Sequence, residues 1–272
     1  MKKFEGILFL SDLDGTLLRY DKSVSQENIN AITYFMAEGG LFSFVSGRSP
    51  IAMRELYERL HANAPVGCLN GGGIYDFAQN KMLWSATISR SALQLANFVE
   101  VNFPDVGIEV NTNDQIYFSR LNAYTDKHCR DESLIPCMRY YNDVDEPLVK
   151  LLFAAEANRM PTLSKALSEL PVSKEFNLMQ SDPNYYEVLP KGIDKANSVR
   201  RLSEILGDRV HTVIAVGDND NDAPMLRTAT VSYAVANASP LAKASATRHT
   251  VSNEENAIAA IIEELDREYS NR

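Results

Sequence analysis

The stretch Phe9 to Leu18, Phe-Leu-Ser-Asp-Leu-Asp-Gly-Thr-Leu-Leu, constrains this chain more than any other. Ile7 to Leu10 is a short apolar run, the pattern of a strand buried on both faces of a parallel sheet. Asp12 and Asp14 follow it at once, and Gly15 permits a tight turn. On an extended backbone side chains alternate, which would aim both carboxylates into one space beyond the strand end. In open α/β sheets ligands bind in that space. Two acids so placed repel unless a cation or a shared proton lies between them, and oxygen ligands of this kind suit Mg²⁺. A polar turn after a core strand is the plain alternative for Asp-x-Asp alone. The apolar strand before it and Gly-Thr after it favour a site.

The same arrangement of apolar run followed by polar turn returns along the chain. Ser23 to Glu38 reads as a helix, with Ser25 as N-cap and Ile29, Ile32, Phe35 and Met36 on one face. Leu41 to Val45 is the next strand and ends in Ser46-Gly47-Arg48. Ser49 and Pro50 then suit the N-cap and first turn of a helix. Ser46 therefore stands where Asp12 stands, and its hydroxyl can donate to a phosphoryl oxygen or serve as a turn serine. Val66 to Leu69 reads as a third strand, ending at Asn70 and three glycines. Asn70 is a weaker candidate for a phosphate contact. A hairpin is expected over Ile74 to Phe77 and Met82 to Trp84.

From about Ser85 the pattern changes. Helices are expected over Ser91 to Asn102 and Met160 to Leu170. Strand candidates are 107–110, 115–119, 138–141, 148–154, 176–180 and 185–188, an α+β pattern unlike the flanks. Arg120, Lys127, His128, Arg130 and Arg139 lie here, each better read singly as a surface residue.

The parallel pattern returns after Pro190. Asp194 to Leu206 reads as a helix carrying Lys195 in its first turn. A lysine there opposes the helix dipole unless an anion or acidic cluster lies nearby, although taken alone a surface lysine is the plainer reading. Val210 to Val216 is a strand running into Gly217-Asp218-Asn219-Asp220-Asn221-Asp222. Three carboxylates in five residues suggest a Ca²⁺ loop, but the glycine, later glutamate and flanking helices of an EF-hand are missing. Half of a metal site, with Asp12 as the other half, explains strand, glycine, acids and helix together. Ser252 to Glu255 fits a capping box for a final helix.

At 272 residues and 45% hydrophobic content, the chain can bury one domain with a large insertion, or two domains. A net charge of −9 argues against nucleic-acid or anionic-membrane partners but not against a small phosphate. Three cysteines (Cys68, Cys129, Cys137) form no disulfide framework and suit a reducing, cytoplasmic setting. No apolar run approaches membrane-spanning length, and Lys2-Lys3 is followed by too short an apolar run for a signal peptide. Acids, a hydroxyl and a cation at converging strand ends suit phosphoryl transfer, in which positioning and charge neutralisation supply most of the catalysis.

Four motifs in order, Asp12-Leu13-Asp14-Gly15-Thr16, Ser46-Gly47-Arg48, Gly192-Ile193-Asp194-Lys195 and Gly217 to Asp222, resemble those of the haloacid dehalogenase superfamily. The chain is similar to Cof-type phosphatases with a type IIB cap. The resemblance implies a Rossmann-like, mostly parallel α/β core over residues 1–84 and 186–272, with a smaller α+β cap over 85–185. It implies a Mg²⁺-dependent phosphomonoester hydrolase acting on a small phosphorylated metabolite such as a sugar phosphate. Asp12 would be nucleophile and metal ligand, and Asp14 general acid and base with its backbone carbonyl on the metal. Asp218 would complete the metal site, and Asp222 would support the metal or Lys195. Ser46, Gly47, Asn70, Lys195 and Asn221 would hold the phosphoryl group. A phosphomutase sharing this cap type is the second reading. A phospho-accepting signalling receiver ranks below both, because it is shorter and has no acid at the position of Asp14. Two departures from the family pattern, Ala234-Val235-Ala236-Asn237 and Glu255-Asn256-Ala257-Ile258, are expected to lie away from the catalytic positions.

Overall fold

Strand Ile7–Ser11 is buried at every residue and pairs in parallel on both edges, with Leu41–Phe44 and with Thr212–Gly217. The computed structural model describes residues 2–270. Among these, the sheet continues through Val231–Ala234 to Arg248–His249, all in parallel. Burial on both faces is why the inner strands Ile7–Ser11 and Thr212–Gly217 read as largely apolar runs. Phe9 sits against Phe42 and Phe35, at ring-centroid distances of 5.7 and 5.8 Å. Parallel pairing has one consequence for chemistry: every strand delivers its carboxyl end to the same edge.

The helices close where the sequence signals them. Ser25 caps Gln26–Ala37 by accepting from the Asn28 amide at 3.2 Å, and Ile32 and Phe35 face the core. Ser252 and Glu255 form the expected capping box, from which the chain enters helix Ala257–Ser270. The third apolar run behaves differently. Val66–Cys68 joins a small three-stranded sheet with Gly73–Asp76 and Lys81–Ser85, and a parallel bridge between Val45 and Gly67 ties it to the main sheet. All three of its residues pair in antiparallel with Gly73–Asp76 instead.

The chain divides into two units. The first comprises the chain up to Gly47, Arg54–Leu83, and the chain from Asp194 onward. The second comprises Arg48–Met53 and Trp84–Ile193. Its sheet runs in the order Phe176–Asp182, Tyr185–Pro190, Lys150–Ala154, Gly107–Asn111, Ile116–Arg120, Cys137–Met138. Pairing is antiparallel throughout except at the last pair. On one face Ile108, Val110, Leu151, Phe153 and Val188 pack on Leu95, Val99, Leu163 and Leu167 of helices Leu93–Asn102 and Met160–Ser168. The expected strand over 138–141 is instead the two-residue strand at Cys137 followed by a helical turn at Tyr141–Asp143. Helix Ala123–Asp131 has no strong apolar stripe, and its sequence signal is the capping box of Asn122 and Thr125.

Candidate active site

Four segments of the first unit meet at the carboxyl edge of its sheet. The Asp12 amide donates to the Val216 carbonyl at 2.9 Å, fixing Asp12 one step past its strand. Its carboxylate is buried and accepts from Lys195 Nζ at 2.6 Å. The same ammonium donates to Asp222 Oδ1 at 2.5 Å. Lys195 precedes helix Ala196–Leu206 at its N-cap, where the helix dipole is hostile to a cation, and the two acids resolve that conflict. Burial alone would lower the lysine's pKa, but the Asp12 and Asp222 carboxylates outweigh it and hold Lys195 above its ordinary range.

Asp218 completes the acidic group. Its Oδ1 accepts from the Thr16 hydroxyl at 2.9 Å. Gly15 sits at φ +79° directly beneath: a Cβ there would lie 2.5 Å from Asp218 Oδ2. Carboxylate oxygens of Asp12, Asp218 and Asp222 lie within 4.8 Å of one another. Burial, then the Asp222 charge, pushes Asp12 well above the usual carboxylate range and Asp218 up to about 6. Three acids share one ammonium, and this surplus of hard oxygen donors fits a divalent cation. The three are not equivalent. Asp222 is fully buried, with Oδ1 on Lys195 and Oδ2 accepting from the Asp218 and Asn219 amides at 3.0 and 2.9 Å. Asp12 and Asp218 are therefore the better donors for a cation, and Asp222 anchors the lysine and the turn.

Asp14 departs from expectation. Its carboxylate is outside the acidic group, its side chain is 40% exposed, and Oδ1 accepts from Lys22 Nζ at 2.7 Å. Strand alternation fails to place it beside Asp12 because the extended backbone ends at Ser11. Past that point the chain turns, and the amides of Thr16, Leu17 and Leu18 all donate to the Leu13 carbonyl.

The uncharged candidates form a second layer. The Ser46 amide donates to the Gly67 carbonyl, and the Asn70 amide donates back to the Ser46 carbonyl, each at 3.0 Å. Asn70 is fully buried at φ +54°, a left-handed conformation that costs a non-glycine residue and tends to persist where surroundings enforce it. Its Oδ1 accepts from Asn221 Nδ2 at 3.2 Å. A Cβ on Gly47 would stand 2.8 Å from Asn70 Nδ2, so the bare backbone of Gly47 lets these residues close together. Gly71, at φ +91°, brings the same turn onto the Asp194 carbonyl, where a Cβ would be 1.9 Å away.

Two supporting residues were not singled out by the sequence. Thr16 fixes Asp218, as above. Asn237 donates from Nδ2 to the Gly15 carbonyl at 2.8 Å and accepts from the Asn253 amide at 3.1 Å. The Ala-Val-Ala-Asn departure is therefore against the opening motif, not away from it; the asparagine was its signal. The basic residues of the second unit behave structurally. Arg120 donates to the carbonyls of Glu100, Phe103 and Val106, closing a helix end. Lys127 pairs with Asp131 and Arg139 with Glu146. His128 is buried rather than exposed.

Residues 9–262 match the haloacid dehalogenase-like hydrolase family. The chain belongs to that family. This hydrolase is 30% identical over 255 residues to the 5-amino-6-(5-phospho-D-ribitylamino)uracil phosphatase YcsE of Bacillus subtilis, with 94% of each chain covered. A haloacid dehalogenase-like hydrolase from Bacteroides thetaiotaomicron superposes with a TM-score of 0.84 at 26% identity, over 96% of this chain and 99% of that one. The subclass IIB sugar phosphatase BT4131 superposes at 0.80 with 18% identity, over 94% and 98%, and supports the fold. The parallel core with an inserted mixed sheet is the Cof-type IIB arrangement, and the chain is a phosphatase of this family. Among the described residues no helix is long and apolar enough to cross a membrane.

Proposed function

We propose that this enzyme hydrolyses small phosphomonoesters, with Mg²⁺, through an aspartyl-phosphate on Asp12. The observation that carries the reading is the buried Asp12 carboxylate, held at 2.6 Å by Lys195 and bordered by Asp218. A carboxylate can itself be a nucleophile, and here it is fixed in place with the Lys195 ammonium beside it. An Asp12 oxygen attacks phosphorus as the ester P–O bond breaks. Asp14 gives a proton to the departing oxygen, then takes one from the water that attacks the phosphoenzyme, returning Asp12 and releasing phosphate. Lys195 and the Ser46 hydroxyl, with Gly47, Asn70 and Asn221 around them, hold the phosphoryl oxygens. Asp12, Asp218 and the Asp14 carbonyl would hold Mg²⁺, which when bound neutralises charge on the transferring group.

The inserted unit would be the cap that selects the leaving group. YcsE, by its name, acts on a phosphorylated ribityl chain, and BT4131 is named a sugar phosphatase. Both names favour a polyhydroxylated phosphomonoester for this enzyme. A cytoplasmic setting fits such a substrate and the reduced thiols expected of Cys68, Cys129 and Cys137. The test is phosphate release from a panel of sugar and polyol phosphates, with Asp12→Asn as control and the phosphoenzyme trapped by rapid quench. Release that survives in the control, or phosphate delivered to a second sugar instead of water, would overturn the proposal.

A further inference from the structure

From the geometry around Asp14 we infer that Lys22 is a positioning residue for the acid–base carboxylate; the inference rests on the role proposed for Asp14 above. A proton donor must stand within hydrogen-bond reach of the leaving oxygen and then of the incoming water. The Asp14 side chain is 40% exposed, and each contact on its carboxylate narrows the rotamers open to it. Lys22 Nζ holds its Oδ1 at 2.7 Å.

Surface ion pairs are generally weak, because ordering a long lysine offsets most of the attraction. This one has a rigid base. Lys22 sits at φ +65°, a conformation that a non-glycine residue keeps only where its surroundings enforce it. Those surroundings are a closed turn. The Lys22 amide donates to the Arg19 carbonyl at 3.0 Å, the Arg19 amide to the Ser23 carbonyl at 2.9 Å, and the Ser23 amide to Asp21 Oδ1 at 2.9 Å. The turn is fastened to the C-terminal capping region. The Tyr20 amide donates to Glu254 Oε1 at 2.8 Å, and Arg19 Nη2 to Asn256 Oδ1 at 3.0 Å. At its base, Asp14 and Leu18 form a bridge. The chain thus leaves Asp14 and returns eight residues later with an ammonium on its carboxylate. Apart from Asp14 itself, none of the residues proposed to hold phosphate or metal takes part in that return.

The test compares Lys22→Met, Lys22→Arg, Asp14→Asn and the double variant Asp14→Asn/Lys22→Met on two substrates. The rate compared is leaving-group release in a single turnover: an alkyl phosphate expels a basic alkoxide and needs the acid, p-nitrophenyl phosphate does not, and the later water attack, which needs the base with either substrate, is not read. Lys22→Met should lower that single-turnover rate for the alkyl substrate about 10- to 100-fold, the scale set by misplacing a reacting group by about an ångström, and leave it nearly unchanged for p-nitrophenyl phosphate. KM should stay within about twofold. Lys22→Arg should restore most of the alkyl rate. The double variant should be no slower than Asp14→Asn, because a positioning residue has nothing left to position. Equal losses on both substrates, or a raised KM with kcat intact, would assign Lys22 to substrate binding and overturn the inference. If Asp14→Asn separates the substrates and Lys22→Met does not, the Lys22 inference alone fails. If neither variant separates them, the acid–base reading of Asp14 is what has failed, and the inference falls with it.

Discussion

Each unit buries a cation between two carboxylates, and the two arrangements serve different ends. In the first unit Lys195 bridges Asp12 and Asp222, with Asp218 adding a third acid. In the second, His128 Nδ1 lies 3.0 Å from both Glu109 oxygens, and Nε2 lies 3.2 Å from Glu132. Both ring nitrogens face carboxylates, so the ring is an imidazolium. Burial opposes its charge, but Glu132 and Glu109 outweigh burial and hold His128 well above the ordinary imidazole range. The His128 site is built from the middle of strand Gly107–Asn111 and from the end of helix Ala123–Asp131, and it ties the two together. The Lys195 site is built from turns past strand ends, where backbone is not committed to a ladder and a ligand can enter. Buried charge is thus no signature of catalysis by itself. What differs is the element that carries it and whether acid is left over.

The comparison predicts opposite outcomes when each site loses a charge. Asp12→Asn should reduce turnover by about 10⁴-fold or more, the scale of losing a nucleophile. It also removes one of three crowded acids, so the melting temperature should hold or rise; a clear fall would make the Lys195 site structural and erase the distinction. Removal of Mg²⁺ by EDTA should return activity to background, with Ca²⁺ a poor substitute because it accepts more ligands and looser geometry. Full turnover in EDTA would mean that the acid surplus is not there for a cation.

His128→Gln should do the reverse of Asp12→Asn, destabilising the protein by about 3–5 kcal/mol, the cost of stranding buried partners of an ion pair. The sign of its pH dependence follows from a folded-state pKa above the unfolded one. The contribution is whole below about pH 6.5, the unfolded imidazole value, and is lost as pH rises through the raised folded value. The stability gap between wild type and variant should therefore be widest near pH 6 and close in alkali. A gap that widens with pH would sink the imidazolium assignment. Gly15→Ala should have the smallest effect, weakening Mg²⁺ affinity about 10-fold by pressing on Asp218, as supporting changes around metal ligands do. Isothermal titration with Mg²⁺ reads this directly, and unchanged affinity would show that the Asp218 carboxylate moves aside freely.

The first site was legible because each of its parts follows an apolar run at a strand end. Asp12, Ser46 and Gly217 to Asp222 could be placed from chain pattern alone, and Lys195 stood out because a lysine is out of place at a helix start. The second site was not legible. Glu109 alternates with Ile108 and Val110 in a strand whose other face is core, and His128 lies on a helix without a strong apolar stripe. Nothing local marks either as buried, because their burial is supplied by segments far away in the chain.

Sequence by itself determined the parallel core, the helix caps and the residue types available at the strand ends, because periodicity, capping and turn chemistry act over a few residues. Tertiary structure decided which of those residues meet. It put Asp222 on Lys195 and sent Asp14 away from Asp12 toward Lys22. It brought Asn237 from across the fold onto the Gly15 carbonyl. It also made a buried imidazolium of a histidine that looks exposed in sequence. Burial and electrostatic pairing are properties of distance in space, and for residues as far apart in the chain as Gly15 and Asn237 only the packed fold sets that distance.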